Sequence, residues 1–380
     1  LVNEGELEAS GTIDLSNTAL RNQLAGIFVS SAHAGDARTD LMSVRSQYDY
    51  SSSNGITSVA TDEYLLGGRA DFIASIRSHS LTLGASALNL GGRVNAGSIS
   101  GTLTEENLDS TRLQSTTSEE VAPPNIDSAV SAGVSVVADG GTNTSVEFGS
   151  NNATTVVHIA PPTAGGLSNN TYSRFDINSA GVILNNQAFN QDVTVTTDLS
   201  AVITSNPTLV SSASVILNQV TAGNSASILN GFLEVAGTRA DVLVANPAGL
   251  VCDSCGVINV DQLDMVVGTV SLVGGSTPAI GQFDTTSASG NRLEVVGDGA
   301  DLTSAGWVSL TTPEMYLSGS LNANNLFVGL GSGVYEHTGT GSVPYQRVSS
   351  GAQSNTTALA IAEPAGIFAD SVTIDSESTN

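Results

Sequence analysis

Apolar residues in this chain come in short runs, each broken by Gly, Asn, Pro or Asp. From Val134 onward the runs are nearly continuous: Val156–Ile159, Phe175–Ile177, Val182–Leu184, Val193–Val195, Val215–Leu217, Val242–Ala245, Val257–Val260 and Leu263–Val267. Leu293–Val296, Trp307–Leu310, Met315–Leu317, Leu326–Val328, Leu359–Ile361 and Val372–Ile374 follow. No helical period extends beyond a couple of turns. Strands this short cannot bury a core alone, but stacked passes of the same chain can, each covering the next. The spacing therefore predicts an all-β fold, a right-handed parallel β-helix (solenoid) with loop excursions. A β-sandwich calls for longer strands and Asn-Gly hairpin turns.

The first third is less regular. In residues 1–31, Leu7, Ile13, Leu15, Leu20 and Ile27 can point to one interior. Residues 32–62 mix Arg, Asp and a Ser run, which reads as an excursion or long loop. Strand character returns over 64–104, with Leu81–Leu83, Leu88–Leu90 and Ile99 placed as rungs. Residues 104–124 are acidic, Ser/Thr-rich and close on Pro123-Pro124, the composition of a linker. The expected organisation is a β-rich region over 1–121, a linker over 122–133, and a β-helix domain over 134–380. Residues 335–356 read as a surface loop. The chain opens at Leu1 without Met and shows no leader, which suggests a mature product or a fragment.

Charge narrows the function. Charged residues are 12% of the chain, yet the net charge is −25, and all eleven basic residues are Arg. Without a basic stripe, nucleic acid is excluded as a partner. No run of about 18–20 apolar residues is present, so no transmembrane segment is expected. Cys252 and Cys255 form a lone Cys-x-x-Cys, which taken alone fits half a metal site, a redox motif or a local bridge. His33, His79, His158 and His337 are too scattered to complete a four-ligand zinc site. The turn Gly297–Leu302 has one copy of a Gly/Asp pattern and reads as a solvated turn. Carboxylates fall mostly at corners, and Val134–Asn380 carries only Arg174, Arg239, Arg292 and Arg347. Polysaccharide-cleaving sites need clustered carboxylates with a basic group on one face, so no catalytic residues, no metal and no cofactor are expected.

The stretch from Arg239 to Gly268 (RADVLVANPAGLVCDSCGVINVDQLDMVVG) carries the strongest signal. It resembles the hallmark of two-partner secretion exoproteins, the filamentous-haemagglutinin-like family, in which an Asn-Pro-x-Gly corner leads to Cys-x-x-Cys and an Ile/Val-Asn strand. Residues 158–186, the Asn206-Pro207 corner with Val215–Asn218, the strand Ile228–Val235, and the later runs at 304–330 and 358–374 resemble the family in its order. The resemblance covers roughly Val134 to Asn380.

That resemblance implies a non-enzymatic, secreted or cell-surface secretion/adhesion domain of a Gram-negative bacterium, exported through a partner outer-membrane transporter. It implies a disulfide between Cys252 and Cys255. It assigns Asn206, Pro207, Asn246, Pro247 and Gly249 to corner motifs that serve the structure or transporter recognition. An adhesin would add a host or neighbouring-cell surface as partner. The alternative is a structural subunit of an extracellular fibre, a homopolymer joined through solenoid ends near Val372–Ile374 and Leu7–Leu15. Both ends are strand-like, and the text from Gly366 (GIFADSVTID) echoes that from Gly26 (GIFVSS), as though the two belonged to one coil series.

Overall fold

Ile216, Val242, Leu263, Val308, Leu326 and Val372 stand in register on six successive parallel strands: Val215–Val220, Ala240–Ala245, Val260–Val266, Trp307–Thr312, Asn325–Leu330 and Ser371–Ser376. All six side chains are buried in the main core. This computed structural model describes residues 1–3, 6–9, 12–16, 20–23, 41–52, 55–66, 75–84, 87–90, 93–101, 103–105, 136–189, 194–275, 278–288, 290–337, 345–350, 358–362 and 365–376.

Two more parallel ladders flank this one. One runs through Thr155–His158, Val182–Asn186, Phe232–Gly237, the ends of Leu250–Ile258 and Arg292–Asp301, then Leu321–Asn322 and Gly366–Ala369. The other runs through Ser227–Leu229, the beginnings of Leu250–Ile258 and Arg292–Asp301, then Glu314–Leu317 and Leu359–Ile361. The chain visits the three ladders in turn. Alternation sends every second side chain inward, where Leu233, Val257, Val295, Leu317, Ile361 and Ile367 join the same core. Among the described residues the one helical piece is a single 3-10 turn, Thr286–Ala288. No helix is long and apolar enough to cross a membrane.

Excursions cover the ladders from outside. The pair Val195–Thr196 and Val202–Ile203 lies over Val156, Ile183 and Ala236. A four-stranded antiparallel sheet (Thr269–Val273, Ala279–Asp284, Gly333–His337, Tyr345–Ser350) covers Leu217, Leu243, Val266 and Phe327 with Phe283, Tyr335 and Tyr345. The loop expected over 335–356 is thus partly strand, because its two tyrosines bury against the ladder. Likewise, the excursion expected over 32–62 holds most of a long hairpin, Leu41–Ser52 with Gly55–Leu66. Two residues, 53 and 54, separate its strands, and Gly55 opens the second one. The linker expected over 122–133 and Ile27 lie outside the described residues.

The N-terminal strands do not precede the ladders in space. They follow Ser376. Val2–Asn3 pairs with Leu359–Ile361, Glu6–Ala9 with Gly366–Ala369, and Thr12–Leu15 with Ser371–Ser376, all parallel. Further strands then stack in the same rotation: Leu20–Gln23, Ser75–Leu83, Ala87–Leu90, Arg93–Ser100 and Leu103–Glu105. The core column continues from Val372 through Ile13 and Leu81 to Ile99. The two ends do belong to one series, through Leu7–Leu15 instead of Gly26.

Candidate functional site: the Asn-Pro corners

Asn246 ends the strand Ala240–Ala245, and Pro247 fixes the next φ, so the chain must turn there. The Asn246 side-chain oxygen accepts from the Ala248 N–H at 2.8 Å, and its carbonyl accepts from the Gly249 N–H at 3.2 Å. Gly249 has φ +118°, a conformation that side-chain-bearing residues rarely adopt. The Asn246 amide nitrogen donates to the Ser225 carbonyl and the Ser227 hydroxyl, both at 3.0 Å, tying the corner to the preceding coil. Asn291 Nδ2 donates to the Pro247 carbonyl from the next coil at 2.8 Å.

Asn206 repeats the arrangement. Its oxygen accepts from the Thr208 N–H and hydroxyl, and its Nδ2 donates to the Ile159 and Asn185 carbonyls at 3.0 and 3.2 Å. Both asparagines are buried with their amides engaged. A partner docking on the folded domain therefore meets Pro207, Thr208 and Val210, which are exposed, and not the asparagines themselves.

Other asparagines after strands do the same work. Asn186 Nδ2 donates to the carbonyls of Ala213 and Thr238, Asn218 Nδ2 to Leu243, and Asn259 Nδ2 to Val235 and Gly237. Of Asn185, Asn186, Asn218, Asn246 and Asn259, Asn259 is left-handed, at φ +58°. The other four serve through their side chains, so tolerance of positive φ does not explain them. Asn324, donating to Thr303 and Ala305, was missed by the sequence reading. Its signal is a reach-back of about twenty residues, one coil, which Asn246 and Asn259 share.

Cys252 and Cys255 lie on the strand Leu250–Ile258, bridged to each other with Cα atoms 5.3 Å apart. Both side chains are buried in the main core. Val242, Val244 and Val257 face that core, whereas Ile258 is half-buried outside it. Trp307 packs half-buried against the outer cluster beneath the four-stranded sheet.

Under that sheet Asp264 is buried beside Gln262 and Tyr345. Burial pushes its carboxyl up to about 7, against the opposing hydrogen bonds from Gln262 and Tyr345. Burial also raises Tyr345, with the Asp264 charge adding to it. Nothing in the sequence marked this pair, because Tyr345 fell in a stretch read as loop. Among the described residues no three His, Cys, Asp or Glu side chains are grouped to hold a metal ion.

Parallel ladders stitched by corner asparagines, with exposed Pro and Thr between, define a stacked-strand protein. The particular family follows from similarity. The description "TPS secretion domain" matches residues 134–379, and the chain belongs to that family. The solved filamentous haemagglutinin secretion domain is similar, with TM-score 0.54 and 27% identity over 63% of this chain and 78% of that one. A tRNA nuclease CdiA of Yersinia mollaretii is 34% identical over 209 residues, 53% of this chain and 7% of that protein. A toxin CdiA of Yersinia pestis is 38% identical over 183 residues, 47% of this chain and 5% of that protein. The chain thus spans less than a tenth of the length of these two CdiA relatives. Members of this family are secreted or cell-surface proteins of Gram-negative bacteria, and this chain is placed with them.

Proposed function

We propose that residues 134–376 form a right-handed, three-sided parallel β-helix that serves as the non-enzymatic recognition unit of an exported adhesin. The observation that carries this is the in-register ladder with corners closed by Asn206 and Asn246. The transporter would meet strands before they stack, pairing with their free edges, and the corners would then lock each coil once outside. Coil-by-coil burial of apolar area, worth about 25 cal/mol per Å2, favours the outward direction. In this reading Asn206, Asn246 and Gly249 hold the shape, Pro207 and Pro247 fix the turns, and the Cys252–Cys255 disulfide pins the strand after the second corner. The adhesin would present its outer surface to a host or neighbouring cell. The nuclease activity of the Yersinia mollaretii relative is not carried over, because the similarity covers 7% of that protein.

Export of the chain from a Gram-negative host carrying the partner transporter tests this. Asn246→Ala should lower both the melting temperature and the amount exported. Pro207→Ala, on the exposed side of its corner, should lower export more than stability. Equal export with and without the transporter would overturn the reading.

A second reading, a fibre subunit joined end to end, rests on the pairing of Ile13 with Val372. Made between copies, that pairing would polymerise the chain. Here it is made within one chain.

A further inference from the structure

The strand Ser371–Ser376 and the strand Val136–Ala138 lie at opposite ends of the ladders, and the described N-terminal strands sit on the far one. From Ser168 through Ile216, Val242, Leu263, Val308, Leu326, Val372, Ile13 and Leu81 to Ile99 there are nine parallel steps. At about 4.8 Å each, they span about 43 Å. Thirty residues, 106 to 135, lie between the last described N-terminal strand, Leu103–Glu105, and Val136–Ala138. Thirty residues reach about 100 Å when extended and average about 30 Å end to end when flexible. The chain can therefore return along the stack, but nothing forces the N-terminal strands to be the ones that occupy the far edge.

What holds them there is non-covalent. Three parallel strand pairings make the join, and Leu7, Ala9, Ile13 and Leu15 bury against Ile367, Val372 and Ile374 in the shared core. The sole disulfide among the described residues lies elsewhere, at Cys252–Cys255. This is strand addition to an open parallel edge, the same physics by which a peptide docks on a sheet.

We propose that the edge formed by Leu359–Ile361, Gly366–Ala369 and Ser371–Ser376 is a strand-binding site whose ligand is this chain's own segment 1–105, docked in cis as a separable module. The module fills the edge at which the ladders would otherwise accept further coils or another copy. Because module and edge belong to one chain, a second copy competes for the edge at a disadvantage. The inference rests on the ladders and not on the transport role, so its failure would leave the secretion reading standing.

The test uses the full chain with a specific protease site placed within residues 106–135. After cleavage the two fragments should co-elute on size exclusion at micromolar concentration. In the Ile13→Asp variant they should separate. Separation of the cleaved parent under native conditions would overturn the proposal, as would co-elution of the cleaved Ile13→Asp variant. A second measurement fixes which copy supplies the segment. Asp14 and Thr373 are paired and both half-buried, within reach of solvent. The double variant Asp14→Cys, Thr373→Cys should crosslink within one chain with a short thiol-reactive bridge. When the two single variants are unfolded, mixed and refolded together, little crosslinked dimer should form. A predominantly crosslinked dimer would assign the edge to a second copy and overturn docking in cis.

Discussion

At the start of the stack, Ser145–Phe148 runs antiparallel to Thr155–His158 and Val136–Ala138 antiparallel to Leu167–Phe175. At the far end, Glu6–Ala9 and Thr12–Leu15 run parallel to the last coil. An antiparallel strand breaks the coil rotation, so no further pass can stack in register there. Val136 and the tilted ring pair Tyr172–Phe175, 4.9 Å between centroids, fill the opening, and the Tyr172 hydroxyl donates to Asn218 Oδ1. A parallel strand does the reverse and reproduces the edge it covers. Closure is therefore built into one end, while the other end stays able to bind.

The two regions also differ inside. One column of the core runs Leu229, Cys252, Val295, Leu317 and Ile361 through residues 134–376, and the next residue in register, Asn3 on the N-terminal strands, is buried but polar. The apolar column thus meets a buried asparagine where the N-terminal strands join it.

The comparison is broken most severely by a charge in the middle of the stack. Val242→Asp would place an unpaired carboxylate between Ile216 and Leu263, and no folded protein should be recovered. Circular dichroism of purified protein reads this, and a parent-like melting curve would refute the shared core. Next come the two ends. Val157→Asp, in the first coil, should unfold residues 134–376. Ile13→Asp should release amide protection over the N-terminal strands and leave the protection of Val182–Asn186 unchanged in hydrogen exchange. If both variants lose protection throughout, the two regions are one cooperative unit.

A smaller effect comes from pH. Because the folded Asp264 carboxyl titrates near 7, above its ordinary 3.8, the folded state holds this proton more tightly than the unfolded chain. Its contribution is full below about pH 4, is lost as pH rises to about 7, and amounts to at most about 4 kcal/mol. Asp264→Asn should flatten that part of the stability-pH curve, as read by denaturant titration at pH 5 and pH 8. An unchanged slope would remove Asp264 from the account. The smallest effect is the disulfide. Cys252 and Cys255 enclose two residues, so replacing both with Ser should cost about 2 kcal/mol or less by loop entropy. A loss of folding would mean that the bridge does more than close a short loop.

Short apolar runs and corner dipeptides made the strand-stacked class readable from the chain alone. The Asn-Pro corners at 206 and 246 could be found because turn chemistry is local: Pro fixes φ, Asn caps its own turn, and Gly249 supplies the positive φ. The residues beneath the four-stranded sheet could not be found this way. Phe283, Tyr335 and Tyr345 are buried only because two distant excursions meet over one ladder, and Asp264 is pushed up only because they cover it.

Order along the chain was the other thing that sequence could not decide. Leu7, Ile13 and Leu15 declared an inward face, and Val372 and Ile374 another, but a period-two pattern states only that a strand has a buried side. Which edge each strand meets is a long-range choice, settled by the columns that must stay in register and by a start already closed with antiparallel strands. The strands Val2–Asn3, Glu6–Ala9 and Thr12–Leu15 stack beyond Ser376 because that edge, of the two, accepts a parallel strand.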